Sequence, residues 1–191
     1  MAAALALLIA TAGVVFVVRT SYTNKQADDA MVKKPSGPIV TSVPNAPPLT
    51  APRTPPSGFK EYRNEFYRFQ LFYPEDMRVT LFKEKGSAAT IVFDMADQSR
   101  SFQVFVKPFG GTEITQTVML RDEPSGVFDQ LGETQIANTR AITFFGKNVS
   151  MGDTKEIWFI QQGFLYEVTT YKQLDQWLAQ IMTSWVFLVR S

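Results

Sequence analysis

Histidine and cysteine are both absent from this chain of 191 residues. Without histidine it lacks the commonest general base and metal ligand, and its serines have no imidazole to activate them. Without cysteine there is no thiol nucleophile, zinc–thiolate centre or disulfide. A glycine-rich phosphate loop is missing too, since Gly146-Lys147-Asn148 lacks the upstream glycine spacing. An excess of positive charge is also lacking in the body. Residues 57–191 carry 14 basic and 16 acidic residues, a formal charge of −2. That argues against nucleic acid as a partner, which needs a basic face.

What is present begins with Ala2 to Val18 (AAALALLIATAGVVFVV), a run with no charged residue. A membrane-spanning helix needs about 17–25 apolar residues, so this run is a short but sufficient candidate. Residues 1–18 are expected to be a transmembrane anchor whose partner is the lipid bilayer, through residues 2–18. A cleaved secretory signal is the main alternative, because Ala10-Thr11-Ala12 has the small-x-small pattern of a cleavage site. The apolar residues Val14 to Val18 beyond that triplet favour retention. A buried core helix is the third reading. Arg19, Lys25, Lys33 and Lys34 all follow the run, which by the positive-inside rule places the bulk of the chain in the cytoplasm. The chemistry of the next segment favours the outside, and a single-pass protein with an extracytoplasmic body is the expectation.

That next segment, residues 19–56, reads as a linker. Eight of the chain's 11 prolines lie between Pro35 and Pro56, among Ser, Thr, Ala and Asn. Proline removes backbone donors and fixes φ, so the stretch is expected to be a semi-rigid tether. At about 3.1 Å per residue, 22 residues reach roughly 70 Å. Pro52 and Pro55 form one PxxP, but a plain spacer is the simpler reading. Residues 19–56 carry five basic and two acidic residues, and Asp28-Asp29 interrupts any lipid-binding basic strip.

Residues 57–191 are expected to fold as one domain. They hold 23 of the chain's 25 aromatic residues, enough for an independent core. Strand composition marks Phe66–Tyr73, Val79–Lys83, Ala88–Phe93, Ser101–Lys107, Thr134–Ile136 and Arg140–Phe145, with a turn region over Gly146–Asp153. Thr115 is placed to cap a short helix over Gln116–Asp122, ending before Pro124. Lys155–Tyr171 reads as a hairpin turning at Gln162-Gly163, with Ile160 opposite Leu165, Phe159 opposite Tyr166 and Trp158 opposite Glu167. Both faces of that hairpin carry apolar residues, as in a sheet covered on both sides. Leu174, Trp177, Leu178, Ile181, Met182 and Trp185 follow helical spacing, and Val186–Val189 fits a closing strand. The fold class is therefore α+β, an antiparallel β-sheet flanked by helices, preceded by one transmembrane helix.

The order and wording of these segments resemble the PsbP-like domain and its relatives of the Mog1/PsbP fold. The resemblance runs over residues 59–190. It is carried by Phe69-Gln70-Leu71-Phe72-Tyr73-Pro74, by Phe105-Val106-Lys107-Pro108 through Ile114-Thr115, by Gly163-Phe164-Leu165-Tyr166, and by Ser184-Trp185-Val186-Phe187. It implies an α/β/α sandwich and a non-catalytic accessory or assembly role at a membrane complex. The name-giving member serves photosystem II, to which nothing in this sequence points. Some members bind metal through histidine and carboxylates; with no histidine here, no ligand is carried over.

Carboxylate pairs were weighed as chemistry. Asp94 and Asp97 flank a hairpin loop, but calcium wants six to eight oxygens, so a solvated turn is expected. Asp122 and Glu123 are expected on a surface loop. Glu156 and Glu167 lie on the hairpin, where a carboxylate against the Trp158 indole would be an acid of raised pKa or simply a strand residue. Asn148-Val149-Ser150 is a glycosylation sequon in form. No residue is singled out as catalytic, cofactor-binding or metal-ligating, and no cofactor is expected. The leading expectation is a membrane-tethered accessory domain with a protein-interaction surface. A carboxylate-based hydrolase that works without histidine, or a small-ligand or lipid-binding module, is the alternative.

Overall fold

The computed structural model describes residues 53–188. The expected anchor, most of the expected linker and the last three residues lie outside the described residues. Ten strands and two helices follow in the order β1 (Phe59–Asn64), β2 (Phe69–Pro74), β3 (Met77–Lys83), β4 (Ala89–Met95), β5 (Ser101–Pro108), α1 (Gln116–Asp122), β6 (Asp129–Ile136), β7 (Thr139–Asn148), β8 (Gly152–Gln161), β9 (Phe164–Tyr171), α2 (Asp175–Met182) and β10 (Val186–Phe187). Seven strands form one sheet in the order β3-β4-β5-β9-β8-β7-β6, and β1-β2-β10 form a second. Every pairing is antiparallel. Among the described residues no helix is long and apolar enough to cross a membrane.

The large sheet is covered on both faces. On the first, Phe93, Phe102, Val104, Ile157, Phe159, Tyr166 and Val168 meet Leu178, Ile181 and Met182 of α2 and Phe69 and Leu71 of the small sheet. Phe69 and Trp185 stack with centroids 4.3 Å apart, and Phe93 and Phe102 do the same at 4.3 Å. The Tyr166 hydroxyl donates to the Tyr67 carbonyl at 2.6 Å, tying the two sheets together, and burial pushes its pKa up. On the second face, α1 packs Met119 against Phe144 and Trp158. Thr115 caps α1, its hydroxyl accepting the Val118 N–H at 3.3 Å.

The main hairpin follows the expected register: Ile160 opposes Leu165, Phe159 opposes Tyr166, and Trp158 opposes Glu167. Gln162 and Gly163 both have positive φ, 52° and 82°, as a two-residue hairpin turn requires.

Elsewhere the structure corrects the sequence reading. Phe66–Tyr73 is not one strand. Residues 65–68 turn, Asn64 Oδ1 accepts the Tyr67 N–H at 2.9 Å, and the exposed, charge-rich strand β1 precedes the turn. Gly146 is not in a turn. It pairs with Thr154 inside the ladder, and the reversal falls at residues 149–151, where Asn148 Oδ1 accepts the N–H of Ser150 and Met151. β6 starts earlier than expected, because an edge strand tolerates the polar run Asp129–Gln135. α2 ends at Met182, so Trp185 reaches the core from beyond the helix. The first face is covered by a second sheet as well as a helix, which makes the layering more β-rich than helices on both sides.

Candidate functional site

The second face of the large sheet concentrates the buried charge. The antiparallel register lines up Lys107 on β5, Glu167 and Thr169 on β9, Glu156 and Trp158 on β8, and Phe144 and Gly146 on β7, all on the side that faces α1. Because that face is covered, its side chains have little water to turn to, and each polar group must be satisfied within the protein.

Lys107 is the hub. Its Nζ lies 2.7 Å from Asp122 Oδ2 and 3.1 Å from Glu167 Oε1, and only 12% of its side chain is exposed. Arg121 grips the same Asp122 with two bonds, Nε to Oδ1 at 3.0 Å and Nη2 to Oδ2 at 2.8 Å. This network joins the end of α1 to the middle of the sheet. Next to it, Glu156 Oε2 accepts the Trp158 indole N–H at 3.1 Å and the Thr169 hydroxyl at 2.8 Å. Gly146 lies alongside. A Cβ there would be 3.1 Å from Thr154 Oγ1 and 3.5 Å from Glu123 Oε2, so the glycine leaves room for these polar side chains.

Burial pushes the Asp122 carboxyl up, but the hydrogen bonds and charges of Arg121 and Lys107 outweigh it and hold the carboxyl below the usual range. The folded chain therefore binds this proton less readily than the unfolded chain does. The stabilisation is complete above the unfolded pKa and is lost as pH falls through the depressed folded value. Stability measured by urea unfolding is expected to fall below about pH 4, and Asp122→Asn should flatten that part of the profile.

These positions revise the sequence expectations. Asp122 and Glu123 are not on a surface loop: they are 7% and 1% exposed, because α1 turns its last residues onto the sheet. Glu167 does oppose Trp158, but the indole N–H goes to Glu156. Asp94 pairs with Arg78 at 2.6 Å, while Asp97 is an exposed loop residue accepting the Ser99 N–H at 3.0 Å. Among the described residues no three Asp or Glu side chains gather as a metal site would require. Lys107 was missed as a buried residue, since a lone lysine at the end of a strand carries no sequence mark of burial.

A shallow groove of about 400 Å³ lies close by, between the segment before α1 and the ends of β7 and β8. Ile114, Ile142 and Ile160 contribute apolar surface to it, and Thr112, Glu113, Thr139 and Arg140 line it as well. Arg140 is engaged by Glu133, with Nε 3.0 Å from Oε2. The buried carboxylates do not line this groove.

No family model matches the sequence, and no curated protein matches it. Among solved structures, the chain is similar to the solution structure of cyanobacterial PsbP (CyanoP) from Synechocystis sp. PCC 6803. The identity is 10%, the match covers 73% of this chain and 99% of that one, and the TM-score is 0.51. At that identity the likeness shows the fold: the described body has a PsbP-like fold of antiparallel sheets with few helices.

Proposed function

We propose that the chain is a membrane-tethered, non-catalytic accessory domain that presents a protein-interaction surface outside the cytoplasm. Residues 2–18 form the anchor, residues 19–56 the tether and residues 57–191 the PsbP-like body. The observation that carries the non-catalytic part is how the body uses its buried acids. Asp122 and Glu167 are held by Lys107, and Glu156 by Trp158 and Thr169, all beneath α1 and away from the groove. Such groups are neutralised by partners built into the fold, whereas an acid–base catalyst must reach its substrate. The apolar run and the proline-rich stretch support the tether.

The test uses the full chain in its native membrane. Cross-linking followed by purification is expected to return one reproducible protein at near-equal stoichiometry. Purified full chain is expected to leave glycoside and ester panels unchanged. Turnover of any of these substrates, abolished by substitution of a body carboxylate, contradicts the reading, as does the absence of any stoichiometric partner.

A further inference from the structure

Two turns and the segment that leaves β5 meet at one end of the body, and each brings a phenylalanine. Phe66, in the β1–β2 turn, is 62% exposed. It stands edge-on to Tyr67 at 4.8 Å and 6.2 Å from Phe164, which follows the β8–β9 turn. Phe109, after β5, joins them through its N–H, which donates to the Gly163 carbonyl at 2.8 Å. Phe109 and Phe164 are both half-buried. The tip is built to be rigid. The Tyr67 hydroxyl donates to the Ser87 carbonyl at 3.1 Å, Arg68 Nη1 to Gln162 Oε1 at 3.4 Å, and the Leu188 N–H to the Arg68 carbonyl at 2.9 Å.

The charge around these rings is mainly basic. Arg68 lies in the turn itself, and Lys83 and Lys85 in the segment that reaches the tip at Ser87, against Glu84, while Arg63 and Glu65 cancel as an ion pair. Glu65 is occupied by Arg63 at 2.5 Å, and Glu84 accepts the Thr90 hydroxyl at 3.2 Å. A protruding phenylalanine on an aromatic base, with a basic collar, suits the headgroup region of a bilayer, where the ring buries its apolar edge and the cations meet anionic lipid.

We infer that this tip docks onto the anionic membrane surface to which the chain is tethered. The inference rests on the tethered reading above. Tethering is what makes so small a contact effective, because it turns docking into an intramolecular step at a raised effective concentration. Reach is sufficient. The tether joins β1 at Phe59, at the opposite end of the strand from the tip, and six strand residues span about 20 Å. At about 3.1 Å per residue the 22-residue proline-rich stretch reaches up to roughly 70 Å, well beyond the length of β1, so its length permits the body to lie tip-down.

The absence of cysteine makes the test clean. A fluorophore is placed beside the tip through Glu65→Cys and, as a control, at the far β7–β8 turn through Val149→Cys. Each full chain is reconstituted in phosphatidylglycerol/phosphatidylcholine vesicles that contain nitroxide-labelled lipid. The expected result is a blue shift and quenching at position 65 and neither at 149. Both effects should be lost when Phe66→Ser is added, and reduced in vesicles of phosphatidylcholine alone. If the chain floats with the vesicles while position 65 stays unquenched, the tip inference fails and the tether stands. If position 65 becomes shielded only in native membranes and not in pure lipid, the tip is a protein contact and the inference also fails. If the chain does not float at all, the tethered reading fails and takes the inference with it.

Discussion

Replacing Lys107 with alanine is expected to lower the unfolding free energy by about 3–5 kcal/mol, the usual cost of removing one partner from a buried ion pair. The large effect comes from what is left behind rather than from the lost bond. Asp122 and Glu167 both point at Nζ, and neither side chain is more than 4% exposed. With the ammonium gone, Asp122 keeps the two bonds from Arg121, whereas Glu167, which Arg121 attracts only through space, loses its close ion pair with Lys107. The direction therefore depends on which charge remains. Adding Glu167→Gln to Lys107→Ala removes the charge that lost its close ion pair and should recover part of the loss, while Asp122→Asn, whose charge Arg121 still grips, should recover less. Urea unfolding of the single and double variants measures this directly. A cost for Lys107→Ala below 1 kcal/mol would mean that the network is open to water, and the description of this face as sealed would be wrong.

Trp185→Ala is expected to cost about 3–5 kcal/mol, as large aromatic truncations in a packed core do. Trp185 stacks on Phe69 at 4.3 Å and meets Phe159 and Tyr166 edge-on at 5.2 and 5.8 Å, so it joins the small sheet to the large one. Its indole N–H is buried and finds no acceptor among the described residues. That gives the position a second signature. Trp185→Phe keeps most of the ring contacts and removes a donor whose burial without a partner is itself unfavourable. It should therefore cost far less than the alanine change. Thermal unfolding of the two variants decides the matter. If phenylalanine were as damaging as alanine, the N–H would have to be making a bond that the packing here does not contain.

These two residues also mark how far the sequence could be read. The hairpin from Lys155 to Tyr171 was legible to the level of register, because β-branched and aromatic residues flank a Gln-Gly turn and allow one pairing. Trp185 was legible as a core residue through its helical spacing, although the helix ends three residues earlier. β1 was not legible. Its alternation is masked by Lys60, Glu61 and Arg63, since an edge strand of a small sheet buries little. The buried network was half legible. The hairpin set Glu156 and Glu167 beside an apolar face, but as an acid of raised pKa or plain strand residues rather than as members of a network. The partners themselves, Lys107 and Asp122, come from segments far apart in the chain and meet only through the β5–β9 pairing and the placement of α1. No local pattern encodes that meeting, and a charged residue at a strand end or helix end defaults to solvent. The Phe66 tip was hidden for a related reason: the residue read as the first of a strand, and only the turn at residues 65–68 exposes it.

The central claim is that a PsbP-like body hangs from a bilayer by residues 2–18. Its most direct test is alkaline carbonate extraction of membranes from cells making either the full chain or a variant lacking residues 2–18. The account predicts that the full chain stays with the membrane pellet. The shortened chain should move to the soluble fraction and unfold at the same urea concentration as before. A full chain released into the carbonate supernatant, or a shortened chain that no longer folds, would contradict it. The first result would remove the anchor, and the second would make the apolar run part of the core.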